Sequence, residues 1–199
     1  IMCRGSQKVV SAPPGLTFVV VSSDAKKAMT ERKAPIASFY ANLTTFTHYY
    51  EEKWFPYTMP ISDIYGLRAA FNLIAGDKTL YERHARIGSA TRAAVKEAGL
   101  KLHLQSGYSN TVTVFDIPEC TDAKSILDEM RTKYNIMLAG SFDELSGKVI
   151  RIGHMGENAR LEHMFPALEA LSATLTDLGV TLQGNLADLF LKHYREFQD

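Results

Sequence analysis

The chain has 199 residues, of which 46% are hydrophobic and 22% are charged, values typical of a globular protein with an apolar core. Its 22 basic residues balance its 22 acidic residues. We therefore expect neither nucleic acid nor an acidic membrane surface as a partner, because both attract proteins with a basic excess. No apolar run in the sequence approaches the roughly 20 residues that span a bilayer.

The first 60 residues are predicted to be rich in loops, because five of the seven prolines fall there. Within them, residues 16–21 form a short, largely β-branched run between Gly15 and two serines, which predicts a buried strand. Ser23 is expected to cap a helix that starts at Asp24 and ends near Lys33, before a proline.

A second helix is predicted to open at Ser62, because apolar residues recur there at helical spacing: Ile64, Leu67, Phe71 and Ile74. Gly76 is expected to interrupt it. A longer helix then follows to about Ala98, where Gly99 can adopt the positive φ that often ends a helix.

From residue 100 onward, strands and helices are predicted to alternate. Strands are expected over residues 101–105, 111–117, 136–139 and 148–153. Helices are expected after caps at Thr121 and Asn158, with Pro166 kinking the second of them, and again over residues 186–197. The order β-β-α-β-β-α predicts a sheet covered by helices.

The cysteines and histidines argue against disulfide and metal sites. Cys3 and Cys120 are too few for a disulfide framework or a four-cysteine zinc site, so we expect a reducing compartment. The sequence also shows no secretory signal pattern, which favours the cytoplasm. The six histidines form no His-Glu-x-x-His motif and no pair four residues apart, so no metal site is predicted.

One segment combines a small polar turn with a single lysine: Gly5-Ser6-Gln7-Lys8, followed by Pro13-Pro14-Gly15 and the predicted strand. A lysine held at a strand end against a partly dry cleft can have a lowered pKa and then form a Schiff base with a carbonyl compound. Lys8 can equally be an ordinary surface lysine, and the residues taken alone favour that simpler interpretation.

This segment resembles the cofactor-lysine segment of class V pyridoxal-phosphate aminotransferases, of the alanine–glyoxylate and serine–pyruvate type. The resemblance continues, in the family's order, through three further motifs: Ser38-Phe39-Tyr40, then Tyr57-Thr58-Met59-Pro60 with Ile64-Tyr65-Gly66-Leu67-Arg68, then Arg151-Ile152-Gly153-His154-Met155-Gly156. It covers nearly the whole chain as far as about Gly179. Several motifs in one order are far more specific than any one of them.

The resemblance implies an α/β protein of the pyridoxal-phosphate-dependent transferase fold type I. Residues 1–85 would be the end of the large cofactor-binding domain and the start of the connecting helix. Residues 86–199 would be the small α+β C-terminal domain with a helical tail. The implied reaction moves an amino group from a small amino acid, such as alanine or serine, to glyoxylate or pyruvate.

The resemblance also implies roles for particular residues. Lys8 would bind pyridoxal 5′-phosphate covalently and then act as the base that moves the substrate proton, with Gln7 beside the phosphate. Thr58 would reach the phosphate held by the neighbouring subunit, so a homodimer is implied. Arg151 would bind the substrate carboxylate as a bidentate pair. Phe55 departs from the family pattern, which often has a phosphate-binding tyrosine there.

In this family the glycine-rich phosphate loop, the aspartate that pairs with the pyridine nitrogen and the ring that stacks on the cofactor all precede the lysine. Here only seven residues precede Lys8. We therefore expect these 199 residues to correspond to the C-terminal half of such an enzyme and to lack aminotransferase activity by themselves.

Two other functions fit parts of the sequence. A sulfur-removing lyase of the same fold would need a reactive cysteine on a mobile loop, and Cys120, after Pro118-Glu119, matches this poorly. A non-catalytic ligand-binding or dimerisation module would fit the β-β-α-β-β-α order. Such a module would have no need of Lys8 or Arg151, so changes at these residues distinguish it from an enzyme.

Overall fold

The computed structural model describes residues 1–197, and the contacts divide the chain into two compact units, Ile1–Gly76 and Asp77–Asp199. The domain boundary expected between residues 85 and 86 stays a prediction, because compactness alone does not say which family domain a segment belongs to. None of the helices in residues 1–197 is long and apolar enough to cross a bilayer.

The first unit contains a hairpin and two helices. Its elements are β1 (Met2–Gly5), β2 (Thr17–Val20), α1 (Ser23–Glu31) and α2 (Ile61–Gly76). The two strands pair antiparallel, with Gly5 opposite Thr17, so the turn that carries Lys8 lies inside the hairpin connection. The predicted strand and both predicted helices form, but the expected burial of the strand is wrong: β2 is largely exposed, with Val19 37% and Val20 56% exposed. Ser22 rather than Ser23 caps α1, since its Oγ accepts a hydrogen bond from the Ala25 N–H at 3.2 Å.

The second unit packs four helices around a small antiparallel sheet. Its elements are α3 (Leu80–Glu97), β3 (Val112–Asp116), α4 (Ala123–Tyr134), β4 (Val149–Gly153), α5 (Leu161–Asp177) and α6 (Leu186–Glu196). Strands β3 and β4 place Thr113 opposite Ile152 and Val114 opposite Arg151. The core between sheet and helices includes Ile87, Phe115, Ile126, Ile150, Leu171 and Phe190.

The strands predicted over residues 101–105 and 136–139 do not form. Each segment makes a single bridge to the sheet, Leu102 to Phe115 and Ala139 to Arg151. The first segment bends away directly after its bridge. The second is occupied by the end of α4, because the Ile136 N–H donates to the Met130 carbonyl at 3.1 Å instead of joining the sheet.

Two predicted caps are also wrong by a few residues. Asp122 rather than Thr121 caps α4, because its Oδ1 accepts from the Ser125 N–H at 3.0 Å. Helix α5 follows Arg160 rather than Asn158, since Gly156–Asn158 forms a separate turn of 3-10 helix. The remaining strand and helix predictions of this unit are confirmed, and Gly99 has the expected positive φ of 87°.

Candidate active site

Lys8 lies on a tight turn between β1 and the proline pair, and Ser6 fixes this turn from inside. The buried Ser6 Oγ donates to the Pro13 carbonyl at 2.6 Å and accepts from the Leu16 N–H at 3.4 Å. The Ser6 backbone N–H also donates to the Leu16 carbonyl at 3.0 Å. One serine therefore closes the loop at both ends, and the backbone that presents Lys8 is held in place.

The loop behind Lys8 packs on α2 through small side chains. Val10 and Ala12 are buried against Ala70, and this small core holds the loop on the helix. At the next turn of the chain, Gly15 has a φ of 128°, and a Cβ there would lie 2.9 Å from the Asp63 Oδ2. Glycine is needed at this position for its conformation, and it also lets the loop approach the first turn of α2.

The side chains of Lys8 and Gln7 are exposed on this fixed turn. Among residues 1–197, no side chain forms a hydrogen bond or an ion pair with the Lys8 ammonium. The Gln7 amide folds over Gly5, where a Cβ would meet Gln7 Oε1 at 2.6 Å. An accessible, unpaired primary amine fits the aldehyde of pyridoxal phosphate, and the neighbouring amide can donate a hydrogen bond to a phosphate.

Thr58 lines a different part of the first unit, a cleft of about 740 Å³ between β2 and a cluster of aromatic residues. Tyr57 fixes the segment that carries it. The Tyr57 hydroxyl donates to the Tyr40 carbonyl at 2.7 Å, and the two rings stack with centroids 5.2 Å apart. Lys8 is not among the residues that line this cleft. The structure therefore joins Lys8 and Gln7 on one turn and places Thr58 elsewhere.

Arg151 lies in the middle of β4, in the second unit. Its backbone N–H donates to the Ala139 carbonyl at 2.7 Å, and its Nε donates to the Gly140 carbonyl. The two terminal guanidinium nitrogens have no hydrogen-bond partner among residues 1–197. The guanidinium is thus held at Nε and leaves its two terminal nitrogens available, an arrangement that matches the two oxygens of a carboxylate.

Arg151 borders a cleft of about 640 Å³ between the sheet and the start of α5. The lining is mostly apolar and includes Met137, Leu138, Met164 and Pro166. His163 and Arg151 are its titratable residues among those the structure describes. A cleft with a cation in largely apolar walls is suited to a small organic acid, since the walls keep the ion pair from being screened by water.

The roles predicted for Lys8, Gln7, Thr58 and Arg151 stay predictions, and sequence reasoning missed the residues that hold two of them in place. Lys8, Gln7 and Thr58 fall in the first unit and Arg151 in the second. Ser6 and Gly140, which fix Lys8 and Arg151, were not singled out. Ser6 gave a weak signal as a small polar residue beside the lysine, whereas a backbone carbonyl such as that of Gly140 gives none.

Cys120 lies in the turn between β3 and α4. Its exposed thiol donates to the Gly179 carbonyl at 3.8 Å. A carbonyl oxygen does not stabilise a thiolate, so this contact gives no support to a sulfur-removing lyase.

The chain is similar to glyoxylate aminotransferases. No family model matches it. The serine–glyoxylate aminotransferase of Arabidopsis thaliana is 35% identical over 202 residues, which cover 98% of this chain and 50% of that protein. An uncharacterized aminotransferase of Methanocaldococcus jannaschii is 35% identical over 183 residues, covering 90% of this chain and 47% of that protein.

Solved structures show the same relationship. The crystal structure of ureidoglycine–glyoxylate aminotransferase from Bacillus subtilis matches with a TM-score of 0.89 and 29% sequence identity. The match covers 97% of this chain and 51% of that one. The chain thus spans about half the length of the curated relatives that it matches.

Proposed function

We propose that the chain forms the C-terminal part of a class V aminotransferase with the pyridoxal-phosphate-dependent fold, because the relatives and solved structures that it matches over about half their length are aminotransferases. The proposed reaction moves an amino group from a small amino acid, such as alanine or serine, to glyoxylate or pyruvate. The observation that carries the proposal is the turn fixed by Ser6, which presents the unpaired amine of Lys8.

Pyridoxal 5′-phosphate supplies an aldehyde that binds amines and a ring that withdraws electrons from the bound substrate. Lys8 provides the amine that holds it. With the cofactor bound, the Lys8 Nζ would accept the proton from the substrate Cα and return it, because the rigid turn would keep it near. The Gln7 amide donates to the phosphate.

Arg151 binds the substrate carboxylate. The amino donor and the oxo-acid acceptor both carry a carboxylate next to the reacting carbon, so one arginine serves both halves of the reaction. The hydrogen bond from Nε to the Gly140 carbonyl supports this role, because it fixes the plane of the guanidinium and leaves both terminal nitrogens for the ligand.

We further propose a homodimer in which Thr58 contacts the phosphate held by Lys8 of a second copy. Lys8 is not among the residues that line the cleft at Thr58, which supports this. So do the exposed aromatic rings near Thr58, since Tyr40 is 78% and Tyr50 69% exposed. Both cysteines are free and exposed, which supports our placing the protein in the reducing cytoplasm.

The test is to add pyridoxal phosphate to the full-length protein, reduce it with borohydride and map the labelled peptides. We expect the pyridoxyl label on Lys8, and we expect its loss in Lys8→Arg. Lys26→Arg, at an exposed position of α1, is the matched control and should keep the label. A label spread over other lysines would contradict the role of Lys8. No transamination between alanine or serine and glyoxylate or pyruvate would contradict the proposed function.

A further inference from the structure

Two buried histidines hold the turn that follows Arg151, and neither has a role in the function proposed so far. His154 comes directly after β4 and is fully buried, and His84 on α3 is 6% exposed. Buried imidazoles are costly unless both ring nitrogens have partners. Both residues have them.

His154 ties the end of β4 to β3. Its Nδ1 donates to the Asn110 carbonyl at 3.2 Å, and its Nε2 accepts from the Thr113 Oγ1 at 2.8 Å. Its backbone N–H also donates to the Thr111 carbonyl at 3.0 Å. Because a carbonyl can only accept, these contacts place the single proton of a neutral ring on Nδ1.

His84 holds the other end of the turn. Its Nε2 accepts from the Gly156 N–H at 3.0 Å, and its Nδ1 faces the Leu80 carbonyl at 2.6 Å. A backbone N–H only donates and a carbonyl only accepts, so this ring is also neutral with its proton on Nδ1. Gly156 has a φ of 59°, so a glycine at this point allows the chain to turn back towards α3.

Helix α3 supports both histidines from one face. His84 and Gly88 are four residues apart, which places them one above the other on the helix. A Cβ on Gly88 would lie 3.2 Å from the His154 Cε1. The helix therefore binds Gly156 through His84 and leaves space for His154 at Gly88.

We propose that His84 and His154 are positioning residues for Arg151. They fix the two ends of the turn after β4, and Thr113, opposite Ile152, links His154 to the strand pair that contains Arg151. The Gly140 carbonyl holds the guanidinium, and the two histidines hold the backbone that follows it. The inference rests on the proposed function, which assigns carboxylate binding to Arg151.

The first test is Thr113→Val in the full-length protein. Valine keeps the β-branched shape that suits a strand and removes only the hydroxyl that binds His154. We expect the KM for the oxo acid to rise about three- to tenfold, with kcat within about twofold, because a lost hydrogen bond loosens Arg151 and leaves Lys8 untouched. Thr176→Val is the matched control: the Thr176 hydroxyl donates to the Ser172 carbonyl at 2.9 Å near the C-terminal end of α5, and KM should not change.

The second test compares His84→Gln with His84→Leu. Glutamine offers an acceptor for the Gly156 N–H and leucine does not, so we expect a raised KM in the leucine variant and rescue in the glutamine variant. Amide hydrogen exchange gives a readout that is independent of activity. Exchange at Gly156 should be faster in His84→Leu than in His84→Gln.

The outcomes separate this inference from the proposed function. An unchanged KM in Thr113→Val, in an enzyme that transaminates and whose KM rises in Arg151→Lys, overturns the inference alone. Unchanged exchange at Gly156 in His84→Leu also overturns it. A protein that does not transaminate overturns the proposed function and this inference with it. Thr113→Val keeps the test decisive if His84→Leu does not fold.

Discussion

Gly66 of α2 lies directly against Pro13: a Cβ on Gly66 would meet the Cγ and Cδ of the proline ring at 2.9 Å. The Pro13 carbonyl is at the same time the acceptor of the Ser6 hydroxyl. One proline is therefore held between the helix and the turn that presents Lys8. The absence of a side chain at Gly66 is what lets the helix support that turn.

Gly66→Ala should destabilise the protein by about 1–3 kcal/mol, because the proline ring is rigid and cannot move away from the new methyl group. Alanine has the higher helix propensity, by about 1 kcal/mol, so the steric effect has to exceed that gain. Urea unfolding of the full-length protein measures the change. Gly76→Ala is the control, since no atom lies within 4 Å of its Cβ position. Equal stability of the two variants would contradict the packing described.

Ser6→Ala should cost about 1–3 kcal/mol of unfolding free energy, because it leaves the Pro13 carbonyl and the Leu16 N–H without their partner. Pyridoxyl labelling of Lys8 should slow in the same variant, as the turn loses its internal support. Ser23→Ala, at an exposed position in α1, serves as the control for both measurements. Labelling at the wild-type rate in Ser6→Ala would show that the turn does not depend on the serine.

Arg151→Lys should raise the KM for both carboxylate substrates by about 10- to 100-fold, because a lysine offers one point charge where the guanidinium offers two fixed donors. Steady-state kinetics of the full-length enzyme with each substrate varied in turn measures this. Arg131→Lys, on the exposed side of α4, should leave KM unchanged. A KM that rises equally in both variants would point to a general charge effect instead.

Acid should weaken the fold through His154. Burial lowers the pKa of this imidazole from 6.5 to about 4, and the nearby cationic Arg92 adds to the effect. Between these two values the unfolded chain binds a proton that the native chain does not, so stability falls as the pH falls through that window. The contribution of this pKa shift to the unfolding free energy is about 3 kcal/mol. It is fully present above pH 6.5 and is lost by about pH 4.

Unfolding free energies of the wild type and His154→Gln, measured from pH 7 to pH 4, test this. The variant should show a flatter profile, whereas the exposed His163→Gln should follow the wild type. Asp77 does not interfere, because Arg83 lowers its pKa from 3.8 to about 2 and its own loss of stability begins below this window. Parallel profiles for wild type and His154→Gln would contradict the prediction.

Patterns of neighbouring residues in the sequence correctly predicted the helices, because a helix is formed by contacts between residues close in sequence. The spacing of Leu67 and Ile74 gave α2, and the glycine after residue 98 gave the end of α3. The caps shifted by one residue where two capping residues stand side by side, as at Ser22 and Ser23. The strands expected over residues 101–105 and 136–139 failed because sheet pairing depends on a partner distant in sequence, which periodicity does not report.

The candidate site also has a part that the sequence predicts and a part that it does not. Motifs predicted Lys8 and Arg151 as site residues, because the chemistry proposed for them depends on residue type. The contacts that hold them are backbone carbonyls or pairs distant in sequence, such as His84 and Gly156, 72 residues apart. A single sequence does not predict contacts between residues so far apart. The sequence therefore did not indicate that His84 and His154 hold the same turn.

Because the two cores differ in size, the two units should differ in their resistance to proteolysis. The first unit buries Val10, Ala12 and Ala70, whereas the second has a core built from six elements. The first unit should therefore open more often, which would let trypsin-like proteases cut at the already exposed Arg32 and Lys33. A cofactor bound at Lys8 would stabilise the folded state by about 2.7 kcal/mol at a hundredfold excess over its Kd and so make this opening rarer. The lifetime of the protein would then follow the supply of vitamin-derived cofactor.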